Sequence, residues 1–239
     1  MQKYSYFKQD FAADTIVQSF LDAHFYDKVA PNAAFYRERV ADEMRQRLGI
    51  DYIIGNRKYK WFANIDEKSS SHYINSELSN FGFELWSGDI DHGRIGWFLN
   101  DDLLTDYYVL SWIHADKEKF PLTKGGNDYF LRFREPDICY FIVCVLKRKD
   151  VETYLASCGF SKEKLMEKAQ FMIANQQRAD YRFRDKYGIW FCYSMGRYQE
   201  QPINVVIKKE VLNQLAWMNG QHACYKVTKD NVEEIPYLP

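Results

Sequence analysis

Hydrophobic and polar positions alternate with a period of two over residues 59–68. Tyr59, Trp61, Ala63 and Ile65 fall on one face, and Lys60, Phe62, Asn64, Asp66 and Lys68 on the other. The pattern predicts a strand, preceded by a short strand over 51–54 and a turn at Gly55-Asn56-Arg57-Lys58. Upstream the period is helical. Phe11, Ile16, Phe20, Leu21 and His24 predict a helix over 11–28, with His24 a packing or surface residue. Tyr36, Val40, Met44 and Leu48 predict a second helix over 32–48, opened after Pro31 and closed by Gly49. In that helix Arg37, Glu38, Arg39 and Glu43 read as solvated charge.

Downstream, strands are expected at 81–86, 96–99 and 106–113, then at 129–134 and 138–146 after a polar connection over 117–128. Ile138 to Leu146 is apolar on both faces, which suits a strand buried on both sides. Helices are expected from Asp150, as N-cap, to Gly159, and from Ser161 to Arg178. Alternation returns at 180–187, followed by strands at 188–193 and 203–207, a helix over 208–218 and a tail over 226–239. The fold class is α/β, a central mixed sheet flanked by helices. One domain is expected over 1–239, a core at about 30–150 with residues 151–239 as an extension packed on it.

The period-two strand puts Asp66 and Lys68 side by side on one face, 15 and 17 positions after Asp51. Two carboxylates can hold a hard divalent cation through oxygen. An ammonium beside them can steady a water or a developing negative charge. Asp42 and Gln46, four apart, share a helix face that could look toward such a cation or simply be solvated. Glu84, among apolar neighbours, reads as a buried salt-bridge member or as a third acid. Asp89, Asp91 and His92 read as a loop, because their spacing fixes no common face. The hydroxyls of Ser69-Ser70-Ser71 are either ordinary loop residues or phosphate contacts.

Composition changes this picture little. The formal net charge of −1 weighs against tight non-specific nucleic-acid binding by the whole surface but leaves a local basic groove open. Arg178, Arg182, Arg184 and Lys186, interleaved with aromatics, form the most basic such stretch. They read either as the polar side of a half-buried strand or as phosphate contacts. Aromatics make up 17% of the chain and read as core. The five cysteines include no C-x2-C pair, so no zinc site is expected, and all five are expected as free thiols. The N-terminus opens no apolar run and no segment approaches a membrane span, so a cytoplasmic protein with no membrane partner is expected.

The run Asp42-x3-Gln46-x2-Gly49-Ile50-Asp51, followed by Ile65-Asp66-Glu67-Lys68, resembles the PD-(D/E)XK, or restriction-endonuclease-like, nuclease superfamily. The likeness covers roughly residues 38–113, and Ile50 stands where the motif has Pro. It implies a restriction-endonuclease-like core with a C-terminal extension, Mg²⁺ or Mn²⁺ as cofactor, and phosphodiester hydrolysis in nucleic acid, DNA first. It further implies Asp51, Asp66 and the main-chain carbonyl of Glu67 as metal ligands, Lys68 at the phosphate, and Gln46 and Asp42 as water-orienting groups. A homodimer is compatible with it. The alternatives are a catalytically silent nucleic-acid- or protein-binding module of the same fold, or an enzyme acting on RNA or on a modified base.

Overall fold

In a computed structural model, the described residues are 7–29, 35–76, 78–88, 92–195, 201–217 and 223–239. Among the described residues, twelve strands form two sheets. The first runs in the order β1 (Phe35–Arg39), β2 (Tyr52–Asn56), β3 (Trp61–Ser69), β6 (Tyr107–Ala115), β7 (Ile138–Lys147), β11 (Cys224–Val227), β12 (Val232–Glu234). The second runs β5 (Arg94–Ile95), β4 (Asn80–Ser87), β10 (Ile203–Lys208), β9 (Ile189–Tyr193), β8 (Ala179–Asp180). All pairings are antiparallel except β3 with β6, so the first sheet is mixed and the fold is α/β.

Strands β6 and β7 are buried on both faces, as the apolar run of β7 requires. On one face Val109, Ile113, Phe141 and Val143 pack against the N-terminal helix through Ala13, Val17, Phe20 and Leu21. Phe20 and Phe141 meet with ring centroids 4.5 Å apart, and burying each such ring stabilises by roughly 1.5–3 kcal/mol. On the other face Tyr108, Leu110, Trp112 and Cys144 pack against Phe83, Phe191 and Val205 of the second sheet and against helices Arg148–Ser157, Lys162–Ala174 and Lys209–Trp217. No helix among the described residues is long and apolar enough to cross a membrane.

Several local expectations fail for physical reasons. The helix expected over 32–48 is instead strand β1 and a short helix, Glu43–Arg47. Tyr36 and Val40 fit a helical stripe, but pairing with β2 in the register Phe35↔Asn56 to Arg39↔Tyr52 satisfies the backbone instead. Asp42 ends the extended segment by capping the short helix, its side chain accepting from the N–H groups of Met44 and Arg45. Gly49 does close this helix, at φ +71°, where a Cβ would meet Thr105 Oγ1 at 2.5 Å.

The 96–99 segment is a turn following the two residues of β5, and 129–134 opens with a 3-10 turn rather than a strand. Asp150 lies in the first turn of its helix, with Lys147 at the cap. Ser161 does cap the next helix, which stops at Ala174. Residues 180–187 are not a strand: after β8 the chain turns into the helix Arg184–Tyr187. The expected tail adds β11 and β12 to the first sheet. The first helix is α-helical over Phe7–Leu21 and widens into a π turn at Asp22–Tyr26. Asp89 and Asp91 lie outside the described residues.

Candidate active site

The β2–β3 hairpin builds the site. Its last pair is Tyr52↔Ile65, and one step beyond it the Asp51 N–H donates to Ile65 O at 2.8 Å. β2 therefore starts where β3 still has four residues to run. The Asp51 carboxylate takes up the edge that β2 leaves free: its Oδ2 accepts the Glu67 N–H at 2.8 Å. The other edge of β3 is fixed by β6, with Asp66 beside Tyr108 and Lys68 beside Leu110. Alternation then sends Asp66 and Lys68 toward the second sheet and Glu67 toward the N-terminal helix.

Asp51, Asp66 and Lys68 line one cleft of about 300 Å³, together with Gln46, Glu84 and Trp97. Lys68 donates to Asp66 Oδ1, and its ammonium lies 5.2 Å from the Trp97 ring centre. Asp66 is buried, and its Oδ2 has no hydrogen-bond partner. Burial raises the Asp66 pKa to about 7; Lys68 pulls it down, and the neighbouring Asp51 charge pushes it up. For Lys68, burial works to lower the pKa, but the charges of Asp66 and Asp51 outweigh it and raise it.

Glu67 faces a different set of partners. Its carboxylate accepts from Tyr26 Oη at 2.6 Å and from Arg39 Nη1 and Nη2 at 2.7 and 2.9 Å. Burial raises its pKa, against the pull of Arg39 and Tyr26. That carboxylate is thus committed to the scaffold. The Glu67 carbonyl shares a strand edge with the N–H that reaches Asp51, so it faces past the end of β2.

The other expected residues separate. Asp42 does not line the cleft, because its carboxylate caps the helix and pairs with Arg45 at 3.7 Å. Gln46 does line it, with Nε2 held by Val40 O at 2.8 Å. Glu84 is half-buried rather than enclosed by apolar groups. Arg178, Arg182, Arg184 and Lys186 do not line the cleft and share no strand face. Arg182 pairs with Asp180, Arg184 covers Trp190 at 5.1 Å, and Lys186 covers Tyr187 at 4.7 Å.

Two cations that do line the cleft, Arg47 and Arg94, escaped the sequence reading. Arg39, expected as solvated charge on a helix, lies instead in β1 and pairs with Glu67. The stretch Phe35-Tyr36-Arg37-Glu38-Arg39 has no period-two alternation to mark it as a strand.

Among the described residues, no group of three or more His, Cys, Asp or Glu side chains is arranged to hold a metal ion. A cation here would take two carboxylates and complete its shell with carbonyl and water oxygens, as a hard divalent ion does. The orphaned, buried Oδ2 of Asp66, on a residue that lines the cleft with Asp51, fits that role. No family model, curated protein or solved structure matches the chain.

Proposed function

We propose that the chain is a Mg²⁺- or Mn²⁺-dependent nuclease that hydrolyses phosphodiester bonds, in DNA first. The observation that carries this reading is the buried, unpartnered Oδ2 of Asp66, a residue that lines one cleft with Asp51 and Lys68. Asp51, Asp66 and the Glu67 carbonyl would hold the cation, which when bound supplies positive charge to the phosphate and acidity to a water.

The protein's own groups then divide the work. Lys68 stands where negative charge grows on the phosphate, and its ammonium lies over the Trp97 ring. Asp66 offsets the Lys68 charge and holds it to one side of the cleft. Gln46, with its amide nitrogen tied to Val40, presents its oxygen as an acceptor for a water. Arg47 and Arg94 line the same cleft and supply phosphate contacts. The test is incubation of purified protein with linear and circular DNA and Mg²⁺ or Mn²⁺. Metal-dependent cleavage lost in Asp66→Asn supports the reading. Absence of cleavage of any nucleic acid under either metal refutes it in favour of a silent binding module.

A further inference from the structure

A second cleft, of about 290 Å³, adjoins the first. Consecutive residues join them: Lys68 lines one and Ser69 the other. Glu84 and Gly82, two apart on β4, do the same. The second cleft spreads over the outer face of the second sheet, where the register sets Gly82 beside Val206, Val206 beside Trp190, and Asn204 beside Cys192.

Its chemistry is specific. No lining residue is charged, so the part of a ligand held there is neutral. Ser70 lines it, is only 7% exposed, and its Oγ has no hydrogen-bond partner. The side-chain amides of Asn80 and Asn204 make no hydrogen bond within the described residues. Each offers a donor and an acceptor side by side, the pattern that pairs with the edge of a base. Trp190 and Tyr73 supply flat apolar walls for a planar ring. Arg184, over Trp190 at 5.1 Å, stands one ring away.

We propose that this second cleft holds a nucleobase of the strand whose phosphate lies at Lys68, with Asn80 and Asn204 reading the base edge and Ser70 Oγ adding a hydrogen bond. It rests on the nuclease reading for the strand itself. Lying next to the Lys68 cleft, the base site would set which step of the strand is presented for cleavage.

The test measures binding rather than cleavage, so the two readings fail separately. Single-stranded oligonucleotides of each of the four bases, and one of equal length with abasic positions, are titrated by fluorescence anisotropy in EDTA. Wild type is expected to prefer at least one base over the abasic strand. Asn204→Leu and Asn80→Leu should each weaken the preferred strand about tenfold, the discrimination given by one bidentate amide–base pair. Both should leave the abasic strand unchanged. Ser70→Ala, the gentlest change, guards against a variant that fails to fold and should weaken the same strand less. Equal affinity for abasic and base-bearing strands, binding of none of them, or variants that retain full preference each overturn the base site. Base-selective binding without cleavage keeps the site and removes the nuclease. Cleavage with no effect of the Asn variants does the reverse.

Discussion

Arg39 and Glu67 form a forked ion pair, Nη1 and Nη2 of the one reaching Oε2 and Oε1 of the other at 2.7 and 2.9 Å. The same guanidinium binds Asp22 through Nε at 2.9 Å and Nη2 at 2.5 Å, and Nη1 reaches Asp51 O at 3.2 Å. One side chain thus ties the π turn of the N-terminal helix to both strands that carry the candidate ligands. Tyr26, which also donates to Glu67, stacks on Tyr52 with centroids 3.8 Å apart, closing the cluster.

Removing Arg39 leaves the Glu67 carboxylate, only 4% exposed, without its counter-charge. Arg39→Leu is therefore expected to cost about 3 kcal/mol, the lower end for a broken buried pair, because Arg39 itself is 22% exposed. Arg39→Leu with Glu67→Gln should cost less than Arg39→Leu alone, since the charge still left unpaired, Asp22, is solvent-accessible. Urea unfolding of wild type, Arg39→Leu, Glu67→Gln and the double variant decides. Additive losses would show that the pair is uncoupled.

Asp66 gives a pH dependence of defined sign. Folded, it keeps its proton to about pH 7; the unfolded chain releases it near 3.8. Between those values the folded state binds more protons, so raising the pH favours unfolding. The contribution of Asp66 to stability therefore falls from about pH 4 to about pH 7 and then levels off. Asp66→Asn should remove this slope and be the more stable protein at neutral pH without metal. Mg²⁺ should reverse it, because a cation binds the ionised form and its melting-temperature gain should grow with pH over the same window. Melting curves against pH that run parallel for wild type and Asp66→Asn would refute the assignment.

How much of this was legible depends on the range of the contacts. Asp66 beside Lys68 follows from a period of two within one strand, and Gly49 from a helix end two residues away. The β7 run shows its double burial in composition alone. By contrast, β1 competes with a helical reading at Tyr36 and Val40, and only pairing with β2 settles it. The second sheet joins β4 to β10 across more than a hundred residues, Phe83 opposite Val205, which no local pattern encodes. Asn204 reaches its cleft through that pairing, Arg94 reaches its own through the β4–β5 hairpin, and Arg39 reaches Glu67 across β2, from a strand that reads as a helix.

The cysteines differ in reach though all are free. Cys139 is exposed, whereas Cys144 and Cys224 are fully buried, paired across β7 and β11 with sulfurs 3.7 Å apart. Burial raises the Cys144 thiol well above its ordinary pKa, which further suppresses thiolate. An aromatic disulfide reagent should label Cys139 first in the native protein and reach Cys144 and Cys224 only on unfolding. In denaturant without reductant the total should be five, matching the free thiols. A total of three would mean that one disulfide forms.

Lys68 separates binding from chemistry. Lys68→Ala leaves both carboxylates but removes the charge that the proposed reaction sets where the phosphate becomes more negative. Cleavage should fall by roughly two to three orders of magnitude, the scale of one lost electrostatic stabiliser. Metal binding should survive with a shifted pH dependence. Lys68 lowers the Asp66 pKa, so its loss raises it, and the midpoint of metal binding should move to higher pH. At alkaline pH, where Asp66 is ionised in either protein, the variant should bind Mn²⁺ at least as tightly as wild type, since a neighbouring positive charge is gone. Asp66→Asn should instead lose metal binding and cleavage together. Mn²⁺ titrations by calorimetry at several pH values, set beside cleavage of linear and circular DNA, make the comparison. If Lys68→Ala cuts as fast as wild type, or loses metal at every pH, Lys68 does not have the role given to it here.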